Sequence, residues 1–234
     1  MISGKLYLIP CPIGETDPHS CLPAFNFEII HSLKYYLAEN EKHCRAFLKS
    51  CKIPTPLSEI SVLPLNNHTD SAEYLSMLNP IFEGKDVGIV SEAGCPGVAD
   101  PGAEIVRIAH QKKIKVIPLV GPSSILLSIM ASGFNGQAFT FNGYLPKEQK
   151  DRIRKIKDME NSAIKNITQI FMDTPYRNKH VFEDLLKNLN GNTKLCIAKE
   201  LNTPEEEVRT MSAADWKKTT ISLEKKNCLF LLGC

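Results

Sequence analysis

Short apolar runs alternate along this chain with longer polar segments whose apolar residues recur at helical spacing. KLYLI (5–9) reads as a first strand, stopped by the turn PCPIG. Between 24 and 50, two helical stretches flank a short apolar piece at 35–38. SAEYLSMLNPIFEG (71–84) has helical spacing through Leu75, Leu78, Ile81 and Phe82, and Pro80 must bend or end that helix. DVGIVS (86–91), rich in Val and Ile, has the pattern of a buried strand. Asp100 and Pro101 then predict a helix start: the carboxylate can cap free N–H groups, and proline at the first helical position loses no useful donor. The helix over 102–111 leads into a strand at 114–121, and PSSILLSIMASG (122–133) is a further helix with Gly133 as its stop.

The second half varies the theme. AFTFNGY (138–144) and ITQIFMD (167–173) read as strands, separated by the charged helix 147–159. RNKHVFEDLLKNL is a helix closed by Asn190 and Gly191; segments 194–200, 206–210 and 227–233 are strands with only SAADWKK between the last two. Strand and helix alternating in short periods predict an α/β fold with a mainly parallel sheet in the first half. The strand-rich end predicts a mixed sheet in the second, since short connections favour antiparallel pairing. Two domains are expected, 1–121 and 122–234, with no low-complexity linker at their boundary.

Composition narrows the class. A hydrophobic share of 43% and a charged share of 23% suit a soluble globular chain and argue against disorder. No apolar run approaches the roughly 18 to 20 residues of a membrane span, and the first residues lack a secretory pattern. The eight cysteines are scattered without C-x-x-C, which predicts reduced thiols in a cytoplasmic protein. The six histidines form no H-x-x-x-H pair, so no metal site is expected. A net charge of +2 confines any nucleic-acid contact to local patches.

Three strand-like segments end in unusual Gly/Pro loops: LIPCPIG, IVSEAGCPG and IPLVGPSS. In open α/β sheets ligands collect at such strand ends, and glycines let backbone groups approach a ligand closely. Turn-making alone accounts for any one of these loops, whereas three in one domain point to a nucleoside-sized ligand. The segment 88–102 matches neither G-x-x-x-x-G-K-[ST] nor G-x-G-x-x-G. Between 91 and 100 it carries Glu92 and Asp100 but no Lys or Arg, which disfavours a polyphosphate and tolerates a cationic cofactor. S-adenosyl-L-methionine, with an ammonium and a sulfonium, has that character.

KLYLIPCPIG, VSEAGCPGVADPG, VIPLVGPSS, FNGYLP, MDTPYR and AKEL, in this order, resemble the tetrapyrrole methylase superfamily. Within it the chain is most similar to the branch that methylates a ribose 2′-hydroxyl in small-subunit ribosomal RNA. The resemblance covers essentially the whole chain. It implies two α/β domains forming a cleft, S-adenosyl-L-methionine as cofactor, ribosomal RNA or the small subunit as partner, and a homodimer. The implied cofactor contacts are Pro12, Gly14, Ser91, Glu92, Ala93, Gly94, Ser123, Ser124, Met172, Asp173 and Ala198. The chain departs from the branch where CPIGETDPHS replaces a T-P-I-G-N-L-x-D pattern, and where Glu92 stands in an S-D-A-G motif. It departs again at AENEKHCR (38–45), in place of an E-D-T-R-like segment, and at DTPYR, in place of E-S-P-x-R.

Methyl transfer from a sulfonium is an in-line displacement, and a positioned base helps a ribose hydroxyl lose its proton. Glu92 and Asp100 are the leading candidate bases, with Glu39 and Glu200 behind them; a helix cap, loop anchor or surface carboxylate is the alternative for each. Arg177 could bind a backbone phosphate or pin its own loop. Lys147, Lys150, Arg154 and Lys157 are expected on one helix face, either tracking RNA phosphates or simply solvated. His19, His43 and His68 are surface candidates for substrate contact. Three readings stand: an RNA 2′-O-methyltransferase, a family methyltransferase for a small molecule such as a tetrapyrrole, and a binding protein that holds the cofactor without catalysis.

Overall fold

The computed structural model describes residues 4–65 and 71–234, of which 71 and 72 are described by their backbone alone; His68 lies outside them. The chain divides into two compact units, Met1–Ser123 and Ser124–Cys234. In chain order the first contains β1 (Lys5–Ile9), α1 (Pro18–Cys21), α2 (Ala24–Ser32), β2 (Tyr35–Ala38) and α3 (Glu41–Ser50). There follow β3 (Ser61–Pro64), α4 (Ser71–Met77), α5 (Asn79–Phe82), β4 (Val87–Val90), α6 (Gly102–Gln111) and β5 (Lys115–Pro118). The sheet order is β3-β2-β4-β1-β5 with every neighbour parallel.

Alternation along the strands explains how this sheet is covered on both faces. Tyr7, Ile9, Tyr36 and Val90 point into one core with Leu33, Phe47 and Leu48. Leu6, Leu37, Val87 and Ile89 point into the other, with Ile105 and Ile108 of α6. Pro80 divides the helical stretch into α4 and α5. Among the elements that the apolar pattern does not predict are β3 and α1. In β3 only Val62 is buried among four residues, too weak an alternation to see, and α1 is a single turn started by Asp17 and Pro18. The helix expected over 102–111 is α6, Gly102–Gln111, but Pro101 is its capping residue and not its first helical position.

The second unit contains α7 (Ser124–Ser132), β6 (Phe139–Tyr144), α8 (Gln149–Ala163), β7 (Thr168–Met172) and α9 (Asn178–Asn188). It continues with β8 (Lys194–Lys199), β9 (Glu207–Ser212), α10 (Ala213–Trp216) and β10 (Cys228–Gly233). The order is β6-β7-β10-β8-β9; β6 and β7 are parallel, and the other neighbours are antiparallel. Phe171 and Phe230 stack at 5.6 Å in the core. Fully buried Trp216 donates its indole N–H to the Leu195 carbonyl at 2.8 Å, so its one polar atom is satisfied. Arg152 of α8 is buried against Asp184 of α9, with Nε donating to Oδ2 at 2.8 Å and Nη1 to the Lys147 carbonyl at 2.6 Å.

Candidate active site

Strands β4, β1 and β5 are neighbours, so the three Gly/Pro loops leave one edge of the sheet side by side. The chain travels from β1 outward through β2 to β3, and in the other direction from β4 to β5. Adjacent β1 and β4 therefore flank the point where strand order reverses, the usual ligand crevice of such sheets. Ile9 pairs with Val90, and Ala38 of β2 also pairs with Val90. Pro10, Ser91 and Glu39 thus emerge in adjacent rows.

The loops are tied to one another. Cys11 and Gly94 form a two-bond bridge, Cys11 N–H to Gly94 carbonyl at 2.9 Å and Gly94 N–H to Cys11 carbonyl at 3.1 Å. Gly94 sits at φ +70°, a conformation that favours glycine. Buried Ser91 turns its hydroxyl inward and donates to the Gly94 carbonyl at 3.0 Å. Asn26 of α2 reaches the Val120 carbonyl at 2.8 Å and holds the loop after β5. Asp100 Oδ1 accepts from the N–H groups of Gly97 and Gly102, at 2.7 and 2.8 Å.

A cavity of about 420 Å³ opens beside these loops, within the range typical of small-molecule sites. Pro12, Gly14, Ser91 and Glu92 line it, together with His43 of α3 and Lys52 beyond it. Asn40 caps α3 by accepting the backbone N–H of His43 at 3.2 Å, which brings the His43 ring to the strand ends. His43 Nδ1 lies 3.1 Å from Glu92 Oε1. Burial pushes the Glu39 carboxyl up, reinforced by the negative charges of Asp100 and Glu92. Burial also raises Asp100, against the pull of its two N–H partners. Cys11 lines the cavity too, but burial pushes its thiol well up and keeps it from serving as a thiolate.

The remaining expected residues are distributed as follows. Ala93 is exposed between Glu92 and Gly94, and Ser123 is partly buried at the end of the first unit. In the second unit Ser124 opens α7, Met172 ends β7, and Ala198 is buried in β8 opposite Leu229 and Val208. The Asp173 side chain is fully buried, with Oδ1 accepting from Thr174 N–H at 2.8 Å and facing Arg177 at 3.2 Å. Its Oδ2 has no partner among the described residues, and burial raises the carboxyl's pKa. Arg177 also donates to the Pro146 carbonyl at 3.0 Å, so it pins its own loop. Glu200 accepts the Asn227 backbone N–H and anchors a turn.

The basic face is shorter than its spacing suggested. Lys147 precedes α8, Arg154 pairs with Asp151 at 3.2 Å and Lys157 with Glu160 at 3.1 Å, while Lys150 is exposed. His19 stacks on Phe27 at 4.2 Å. Sequence reasoning did not find the pairing of His43 with Glu92, nor the lining role of Lys52. The Asn40 cap directly after an apolar strand was the one local signal for His43. Around the cavity Glu15, Asp17 and Glu92 stand against Lys52, with the imidazole of His43 beside them, a set that suits a cationic ligand better than a polyphosphate. No cluster of three or more metal-ligating side chains occurs among the described residues. None of their helices is long and apolar enough to cross a membrane.

No protein-family model matches the chain. It is 30% identical over 236 residues to a ribosomal RNA small subunit methyltransferase I of Halalkalibacterium halodurans, covering 98% of this chain and 76% of that one. The protein of that name from Vibrio cholerae is 28% identical over 210 residues, covering 90% and 69%. Among solved structures, the methyltransferase CobJ superposes with a TM-score of 0.66 at 17% identity, covering 99% of this chain and 94% of that one. The cobalt precorrin-4 methyltransferase CbiF gives 0.63 at 16% identity, covering 98% and 94%. At those identities the structural likeness establishes the shared fold. The sequence relatives establish the family: the chain belongs to the ribosomal RNA small subunit methyltransferase I family.

Proposed function

We propose that the protein transfers the methyl group of S-adenosyl-L-methionine to a ribose 2′-hydroxyl of small-subunit ribosomal RNA. The observation that carries this reading is the acidic crevice where the loops after β1 and β4 cross, without Lys or Arg from 88 to 102, in a member of that methyltransferase family. When bound, the cofactor supplies an electrophilic methyl group on a positively charged sulfur. In the first unit Pro12, Gly14 and the turn Ser91–Gly94 would hold it, with Ser123 at the end of the third loop. Because Ser91 and Gly94 use their polar atoms within the loops, they shape the crevice, and Glu92 and Glu39 supply the negative field. Exposed Lys150 would meet RNA phosphate. Asp100 and Arg177 serve as anchors of their loops. The same reading makes the partner the small subunit or its RNA, and the protein a cytoplasmic homodimer.

Purified protein, incubated with methyl-labelled donor and small subunits from cells lacking the gene, should place label on a ribose, mapped by nuclease digestion. Protein that binds the donor in calorimetry yet leaves subunits and naked ribosomal RNA unlabelled defeats the reading.

A further inference from the structure

We propose that His43 is the base that accepts the proton of the acceptor hydroxyl, and that Glu92 is a positioning residue that fixes its ring. This rests on the methyl-transfer reading above and alters the role of the acidic residues singled out by the sequence. Three of the four candidate carboxylates are otherwise engaged: Asp100 closes its loop through two N–H groups, Glu200 holds Asn227, and Glu92 directs Oε1 at His43 Nδ1; the fourth, Glu39, is not among the residues that line the cavity. A carboxylate on Nδ1 selects the tautomer that carries its proton there, which leaves the Nε2 lone pair as acceptor. Nε2 has no protein partner among the described residues, and His43 lines the cavity.

Exposure also fits. The His43 and Glu92 side chains are 63% and 49% exposed, open enough to be reached by a large acceptor such as folded RNA. The ionisable groups around the ring come from several elements: Glu92 after β4, Glu15 and Asp17 after β1, and Lys52 beyond α3. Glu39 after β2 and Asp100 lie behind Glu92. Their formal charge balance is negative, which suits a cationic donor. The step balances: the acceptor oxygen gives its proton to Nε2 and forms a bond to the methyl carbon. The carbon–sulfur bond breaks with its electron pair remaining on sulfur, and the imidazolium afterwards releases the proton to water.

The test uses His43→Gln and Glu92→Gln in the full chain. Neither change touches the α3 cap, which employs the backbone N–H of His43, and an exposed pair contributes little to folding. His43→Gln should lower kcat by about 10²- to 10⁴-fold, with KM for the subunit and donor affinity within about twofold of wild type. Its residual rate should lose the acid limb of the pH profile. Glu92→Gln should lower kcat less than His43→Gln, because it removes only the group that fixes the ring. In the resting protein, nitrogen NMR should show His43 protonated at Nδ1, and the Glu92 variant should lose that preference. An active wild type beside an equally active His43→Gln overturns the base alone, while an unchanged tautomer in Glu92→Gln overturns the positioning role. A wild type that binds donor but methylates no subunit overturns the functional reading and the base together.

Discussion

Asp100 offers a clean separation between a structural carboxylate and a chemical one. A single oxygen accepts two backbone N–H groups, from Gly97 and Gly102, and so joins the loop after β4 to the first turn of α6. A hydrogen bond to a charged group contributes about 1.5–3 kcal/mol. For a partly exposed carboxylate that accepts two such bonds, Asp100→Ala should cost about 2–3 kcal/mol. At roughly 4 °C per kcal/mol for a unit of this size, the first unit's melting temperature should fall by about 8–12 °C. Asp100→Asn keeps an oxygen acceptor in the same place and should fold at least as well as wild type. The sign follows from burial, which raises the Asp100 carboxyl in the folded state. The stability it contributes is complete below the unfolded value and is lost as pH rises through the folded one. Asparagine never ionises, so Asp100→Asn should melt at or above wild type at pH 7, with the two curves meeting below about pH 4. Calorimetric melts across that range, run beside methylation rates, give the answer. An unshifted Asp100→Ala melt, or an Asp100→Asn protein that folds normally but turns over a hundredfold more slowly, would refute the anchor.

Other consequences are read from single contacts. Asp184→Ala leaves the guanidinium of Arg152 buried without its carboxylate and should cost about 3–5 kcal/mol. The double change Arg152→Met with Asp184→Leu should recover most of that in chemical denaturation; simple additivity of the two single losses argues against the pair. A Cβ on Gly121 would lie 2.2 Å from Pro10 Cβ and 2.6 Å from its Cγ. Gly121→Ala must displace the loop after β1, at about 1–3 kcal/mol of strain, and calorimetry should show donor affinity reduced more than tenfold. Lys150→Gln should weaken RNA binding and reduce its log–log salt slope by about 0.7–0.9. Arg154→Gln, which removes a cation already paired with Asp151, should change the slope less.

The sequence made the fold readable wherever one segment carried its own signal. Apolar runs marked β1, β4 and β10, and the Gly/Pro loops marked the strand ends that prove to be neighbours. What escaped was either too short or too distant in sequence. Buried residues in β3 amount to Val62 alone, below what alternation can register. Arg152 looked like one more charge on a polar helix, because its burial depends on Asp184, 32 residues further along. Lys147 seemed part of a stripe only because the helix was started two residues too early. Glu92 was legible as a loop carboxylate, but its partner His43 lies 49 residues earlier, on α3, and local spacing carries no record of that encounter.

The division of labour within the first unit follows from how its polar atoms are used. In-line methyl transfer depends on holding reacting atoms at one distance and angle, so loops that shift by an ångström forfeit much of the rate. Here the loop after β1 is fixed by Cys11 on Gly94, the loop after β4 by Ser91 and Asp100, and the loop after β5 by Asn26. These bonds engage main-chain groups that a Gly-rich loop would otherwise present to a ligand. With those groups engaged, the task of distinguishing ligands passes to the side chains at the rim of the crevice. Glu15, Asp17, Lys52 and the pair Glu92–His43 line it, and under the proposed reading they would face a cationic methyl donor and a hydroxyl acceptor.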